Sequence, residues 1–163
     1  MNHKITPITE NLIESYREAV GRVAREKKYL VFLDSPSLAM SKAFVLSNIK
    51  DGWPHVVATI GDDVIGWCDI TGHNRPVLSH VGCLGIGIVK EYRGCGIGKE
   101  LLSEALSLAQ KRGLTRIELT VREDNKRAIE IYKKFGFLTE GVHQKSMLID
   151  GNYYNQVFMA LLF

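Results

Sequence analysis

One stretch constrains this chain more than any other: Leu84-Gly85-Ile86-Gly87-Ile88-Val89-Lys90-Glu91-Tyr92-Arg93-Gly94-Cys95-Gly96-Ile97-Gly98-Lys99. An apolar, strand-like run enters a turn with glycine at 94, 96 and 98. A helix with apolar residues Ile97, Leu101, Ala105 and Leu108 starts at once. Alternate glycines remove the Cβ atoms that would hold a ligand away from the main chain. They also let successive N–H groups point into one concavity at the positive end of a helix, which suits a phosphate or diphosphate. Two familiar phosphate loops fail on count. A G-x-x-x-x-G-K-[ST] loop would need glycine at Arg93 and Ser or Thr at Glu100. A dinucleotide turn needs G-x-G-x-x-G, whereas this turn reads G-x-G-x-G. Glycines here would serve equally well as a tight packing device, so the turn alone does not decide.

The flanking pattern is regular. Lys4–Ile8 reads as extended, and Thr9 as the cap of a helix to about Glu26. Pro36 and Ser37 open a second helix ending at Asp51-Gly52. His55–Ile60 and Val64–Ile70, joined by Gly61-Asp62-Asp63, read as a hairpin. A loop at Gly72–Pro76 leads to a strand over about Ser79–Val89, and the helix after the glycine turn runs from about Gly96 to Arg112 before Gly113. Arg116–Val121 is a strand and Asn125–Phe135 a helix ended by Gly136. Two strands, Leu138–Ile149 and Tyr153–Phe163, close the chain around the turn pair Asp150-Gly151. The last is apolar almost throughout from Val157, as expected of a strand buried on both faces. The order is βααβββαβαββ, an α/β fold with a mixed sheet.

At 163 residues the chain predicts one domain, 1–163. The net charge of +3, from 21 basic and 18 acidic residues, is too balanced to predict a nucleic-acid partner. No apolar run approaches the roughly 18 residues of a membrane span, and Met1-Asn2-His3-Lys4 opens no secretory leader. Cys68, Cys83 and Cys95 are far apart and odd in number. That predicts neither a disulfide framework nor a metal site, and points to the reducing cytoplasm.

The downstream half separates the alternatives left open at the glycine turn. Arg93-Gly94-Cys95-Gly96-Ile97-Gly98 matches the [QR]-x-x-G-x-[GA] signature of the GNAT superfamily of acyl-CoA-dependent N-acetyltransferases. Val121–Asn125, followed by Ala128–Phe137, resembles that superfamily's second motif, and the resemblance spans essentially the whole chain. It implies a mixed, mostly antiparallel sheet with helices on both faces and splayed parallel fourth and fifth strands. It implies acetyl-CoA as cosubstrate, with its pyrophosphate held by the turn, here Arg93, Gly94, Cys95, Gly96, Ile97, Gly98 and Lys99. Ile86, Gly87 and Ile88 would hydrogen-bond the pantetheine arm, as would Asn125. The acceptor would be a primary amine of a small molecule, and homodimers occur in the family.

Asn125 and Tyr132 are seven residues apart, so they share one helix face about 10 Å apart along the axis. The resemblance puts the Tyr132 hydroxyl beside the thioester sulfur. A phenol, with an ordinary pKa near 10, is protonated at neutral pH and able to donate. The packing alternative is a core aromatic beside Ala128, Ile129 and Phe135. An amine of pKa about 10.4 must also lose a proton before attacking. The ribosomal-protein branch of the family uses a glutamate in the middle of the fifth strand, where this chain has Thr120. The remaining candidate bases are Glu118, His80 and Asp69, with a bound water as an alternative. Cys95, at a helix N-terminus, could carry an acyl group covalently, but as a variable position of the motif it reads better as a tolerated small side chain. Gly66–Asp69, the loop 72–76 and Glu26–Tyr29 could border the acceptor. A protein N-terminus or lysine as acceptor, and a coenzyme-A sensor without turnover, are the competing readings.

Overall fold

The computed structural model describes residues 2–163. Strand β1 (Lys4–Pro7) leads through a 3-10 turn at Glu10–Leu12 into α1 (Ile13–Ala24). Thr9 does not cap the helix: its hydroxyl donates to Asn11 Oδ1 at 2.6 Å, and regular α-helix starts only at Ile13. The second helix, α2 (Leu38–Asp51), begins as its sequence directs. The Ser37 hydroxyl accepts the Met40 N–H, and Gly52 closes the helix in the left-handed region at φ +66.

The hairpin β2 (His55–Ile60) and β3 (Asp63–Gly72) is followed by β4 (Val81–Ile88), α3 (Ile97–Lys111), β5 (Arg116–Arg122) and α4 (Lys126–Lys134). The chain ends in β6 (Leu138–Ile149) and β7 (Asn152–Leu162). Their connection puts Asp150 and Gly151 both at positive φ, 49 and 80, the conformation an Asp-Gly hairpin turn favours. Among the described residues seven strands lie in the order β1-β2-β3-β4-β5-β7-β6. Every pairing is antiparallel except β4 with β5. Because β7 is inserted between β5 and β6, the crossover through α4 carries the chain past one strand position.

Adjacent strand residues point to opposite faces, and the core divides accordingly. Val56, Ala58, Cys68 and Ile70 join Leu101, Leu102 and Ala105 of α3 and Ile129 and Tyr132 of α4. Val57 and Trp67 turn the other way, onto Tyr16, Ala19, Val20 and Val23 of α1 and Val45 of α2. Each fully buried Leu or Val contributes about 1.5–3 kcal/mol of transfer free energy. The last strand is less enclosed than its composition suggested: Val157, Met159 and Ala160 are buried, Phe158 and Leu161 half-buried and Leu162 exposed. The reason is lateral. Helices α1 and α2 pack over β2, β3 and β4 rather than over β7.

Two glycines of β4 shape the surface under α1. Trp67 and Asp69 of β3 stand directly opposite Gly87 and Gly85. A Cβ on Gly87 would lie 2.3 Å from Trp67 Cη2, so the indole occupies the space a side chain would need. Gly87→Ala is therefore expected to lower stability by about 1–3 kcal/mol through overpacking, read as a lower urea midpoint with unchanged slope. Adding Trp67→Phe should recover part of the loss. An unchanged midpoint in Gly87→Ala would contradict this packing.

Candidate active site

Strands β4 and β5 pair only through Val81–Cys83 and Arg116–Glu118. Beyond that point they separate, although each stays paired on its outer side. β4 follows β3 to the Ile88–Gly66 pair, and β5 follows β7 to the Arg122–Gln156 pair. The facing edges thus carry main-chain groups with no neighbouring strand, an arrangement that invites an extended ligand. A cavity of about 800 Å3 occupies this opening and is lined by residues from both faces of the sheet.

On the α3/α4 side the glycine turn faces the cavity through Gly94, Gly96, Ile97, Gly98 and Lys99. Gly94 and Gly96 adopt φ +86 and +88, a region side chains rarely enter. The next main-chain bonds after Arg93 are those of the Lys99 and Glu100 N–H groups to Gly96 O, at 2.9 and 3.2 Å. The first-turn amides ahead of them have no intrahelical acceptor, so they are free for an anion. Arg127 adds positive charge that sequence reasoning missed. Its Nη2 lies 3.5 Å from where a Gly94 Cβ would sit, and it lines the cavity one residue into α4. Spacing from Asn125 offered the only signal. Asn125 caps α4, its Oδ1 accepting the Ala128 N–H at 3.3 Å, which leaves its Nδ2 as a donor at the cavity wall.

Tyr132, two turns further along α4, is 8% exposed and lines the same cavity as the glycine turn. It is both core and cavity wall: its ring packs against Phe137 at 5.7 Å. Burial, with a smaller contribution from the nearby Cys68, raises the phenol above its ordinary pKa, so it stays protonated.

Ile86, Gly87 and Ile88 line the cavity along the free edge of β4. Two of the residues expected in the turn behave differently. Cys95 is exposed and outside the lining, with Sγ 3.8 Å from Arg93 O. The Arg93 guanidinium turns away from the glycine amides. Its Nε donates to Ile88 O at 2.8 Å, its Nη1 and Nη2 donate to both carboxylate oxygens of Glu26, and it stacks 4.8 Å from the Tyr29 ring centroid. A motif arginine thus ties the end of β4 to the segment between α1 and α2.

On the α1/α2 side, Asp69 is the one carboxylate lining the cavity among the described residues. It is 8% exposed, and burial pushes its carboxyl up from the usual 3.8 to about 7. A side chain at position 85 would cover it, since a Cβ there would lie 3.3 Å from Asp69 Oδ2. Thr120 lines the cavity from β5, its hydroxyl accepting from Gln156 Nε2 at 3.4 Å. The other two candidate bases are not brought to this cavity. Glu118 stands in the paired part of β5, where its Oε1 accepts from Arg116 Nε at 2.6 Å. His80 is exposed just before β4, its carbonyl accepting the Thr115 N–H. Both lie at the closed end of the strand pair: Glu118, two residues before Thr120 on β5, shares its face of the sheet but not its position at the opening. Of the expected acceptor borders, Trp67 and Tyr29 line the cavity and the loop 72–76 does not.

Known proteins share this architecture. The family model for the acetyltransferase (GNAT) family matches residues 16–137. An L-amino acid N-acetyltransferase, AaaT, of Escherichia coli (strain K12) is 37% identical over 112 residues, 68% of this chain and 69% of that protein. A GNAT-family acetyltransferase from Streptococcus pneumoniae superposes with a TM-score of 0.91 at 27% identity, covering 99% of this chain and 100% of that one. The fold also matches a phosphinothricin acetyltransferase from Sinorhizobium meliloti in complex with AcCoA. There the TM-score is 0.92 at 22% identity, over 100% of this chain and 89% of that one. With three-quarters of its length matched to the family and its strands parted around a glycine cradle, this chain belongs to the GNAT acetyltransferase family.

Proposed function

We propose that this protein transfers an acetyl group from acetyl-CoA to the primary amine of a small molecule, by direct attack in a ternary complex. The observation carrying this reading is that one cavity passes through the sheet, with the glycine amides and Tyr132 on one face and Asp69 on the other. The amides of Gly94–Gly98, with Lys99 and Arg127, suit the diphosphate. The free edge at Ile86–Ile88 and the Asn125 Nδ2 suit the two amides of the pantetheine arm. Acetyl-CoA, when bound, supplies an activated acyl carbon and a thiol leaving group. AcCoA in the Sinorhizobium enzyme of the same fold supports this occupancy, and AaaT's action on an L-amino acid supports a small acceptor.

Two side chains divide the proton work. Tyr132, kept protonated by burial, donates to the departing sulfur, whose thiol has a pKa near that of cysteine, about 8.5. Asp69, with a carboxyl titrating at about 7, holds the cationic amine and takes its proton. A protein N-terminus is less well served, because position 120 offers no carboxylate. The Cys95 thiol, outside the cavity lining, carries no acyl group; the residue contributes only its main-chain amide to the turn.

Thiol release from acetyl-CoA, followed with Ellman's reagent across an amine panel, tests the activity. Binding of coenzyme A without release by any amine would reduce the protein to a sensor. Tyr132→Phe is expected to lower kcat roughly 100-fold or more while leaving the KM for acetyl-CoA within about twofold. An unchanged kcat would remove the acid role.

The pH profile tests Asp69. A base must be ionised, so kcat/KM should rise with pH through about 7 and level off above it. Asp69→Asn should abolish that limb and cost roughly 100-fold. Stability supplies an independent reading. A carboxyl raised from 3.8 to about 7 contributes stability below pH 3.8 that is lost as pH rises through 7. Asp69→Asn should therefore melt above wild type at pH 8, with the gap closing toward pH 4. No gap at pH 8 would contradict the burial argument.

A further inference from the structure

The acceptor half of the cavity is unlike a site for a polycation. Its wall is made by Tyr29, Val31 and Phe32 from the segment between α1 and α2, by Met40 and Phe44 from α2, and by Trp67 from β3. Five of these six are exposed, Val31 to 79% and Met40 to 57%. Such a cluster at a cavity mouth marks a binding surface rather than a core. Among the described residues, its single carboxylate, Asp69, can match one ammonium.

A second positive charge would find no partner there, and would meet two arginines. Arg93 and Arg122 both line the cavity and are already committed, Arg93 to Glu26 and Arg122 to Asp124. That commitment also leaves an acidic acceptor side chain without a free guanidinium. One polar group is poised instead. The Ser41 hydroxyl, on a residue 4% exposed, lines the cavity one helical turn before Phe44 and has no hydrogen-bond partner among the described residues.

We infer that the acceptor is a primary amine with one positive charge and an aromatic or branched aliphatic side chain. The ammonium sits at Asp69, the apolar group lies against Phe32, Met40 and Phe44, and the Ser41 hydroxyl meets whatever polar group the acceptor carries beside its amine. The inference rests on the transferase reading above. An amino acid and its decarboxylated amine share the ammonium and the apolar group and differ in the carboxylate, for which the Ser41 hydroxyl is the donor at hand, so both enter the test.

The panel is L-phenylalanine, L-leucine and phenethylamine against spermidine, L-lysine and L-glutamate, each with saturating acetyl-CoA and the full chain. The apolar acceptors are expected to exceed the charged ones in kcat/KM by about tenfold or more. L-phenylalanine against phenethylamine then tells the amino acid from the free amine. Val31→Glu, at an exposed position, should narrow that ratio by lowering phenethylamine and raising spermidine, with the acetyl-CoA KM unchanged. Equal or better use of spermidine or L-lysine by the wild-type protein would overturn the inference while leaving the transferase intact. If no amine releases thiol, the transferase reading fails by itself. Calorimetry of the coenzyme-A-loaded protein then decides: tighter binding of phenethylamine than of spermidine supports the inference, and the reverse order overturns it.

Discussion

The parting of β4 from β5 is the constraint on which the rest of the structure depends. Three residue pairs join the two strands, and then each follows its outer neighbour. An interrupted sheet interior would ordinarily leave buried main-chain groups without partners, at a cost of about 1–3 kcal/mol each. Here the opening stays accessible as a cavity, and residues of both unpaired edges line it. Glycines at 85 and 87 extend the same logic to the α1 face, where they clear the space over Asp69 and take the ring of Trp67.

Two arginines tie the strands that border the opening to the segment following α1. Arg93 leaves the glycine turn, bonds the end of β4 and clasps Glu26, while Arg122 at the end of β5 donates to Lys27 O and stacks on Tyr154 at 3.8 Å. Each strand that borders the opening therefore holds one point of the segment following α1. That segment supplies Tyr29, Val31 and Phe32 to the cavity wall. A guanidinium suits this task because its planar fork serves a carboxylate, a carbonyl and an aromatic face together.

Much of this was legible in the sequence, for identifiable reasons. Hydrophobic period and turn chemistry set the strand and helix order, and the glycine turn, whose sequence suits an anion, opens onto the cavity. Periodicity also put Asn125 and Tyr132 on one helix face. Strand parity, by contrast, says which face a residue takes and not how far along the opening it lies. That is why Glu118 stood as a candidate, although the pairing of Val81–Cys83 with Arg116–Glu118 leaves it at the closed end, where His80, just before β4, also lies. The destination of the Arg93 guanidinium depended on Glu26, 67 residues away, a contact no local pattern encodes. Tyr29 stood among the expected acceptor borders, but Val31, Phe32, Met40 and Phe44 read as ordinary loop and helix, and only the fold brings them to the cavity wall.

The most direct test is a crystal structure of the full chain with acetyl-CoA. The account requires the diphosphate oxygens within hydrogen-bond distance of the amides between Gly94 and Gly98, and the thioester sulfur within reach of the Tyr132 hydroxyl. A coenzyme seated elsewhere, or a sulfur separated from that phenol by the sheet, would contradict it.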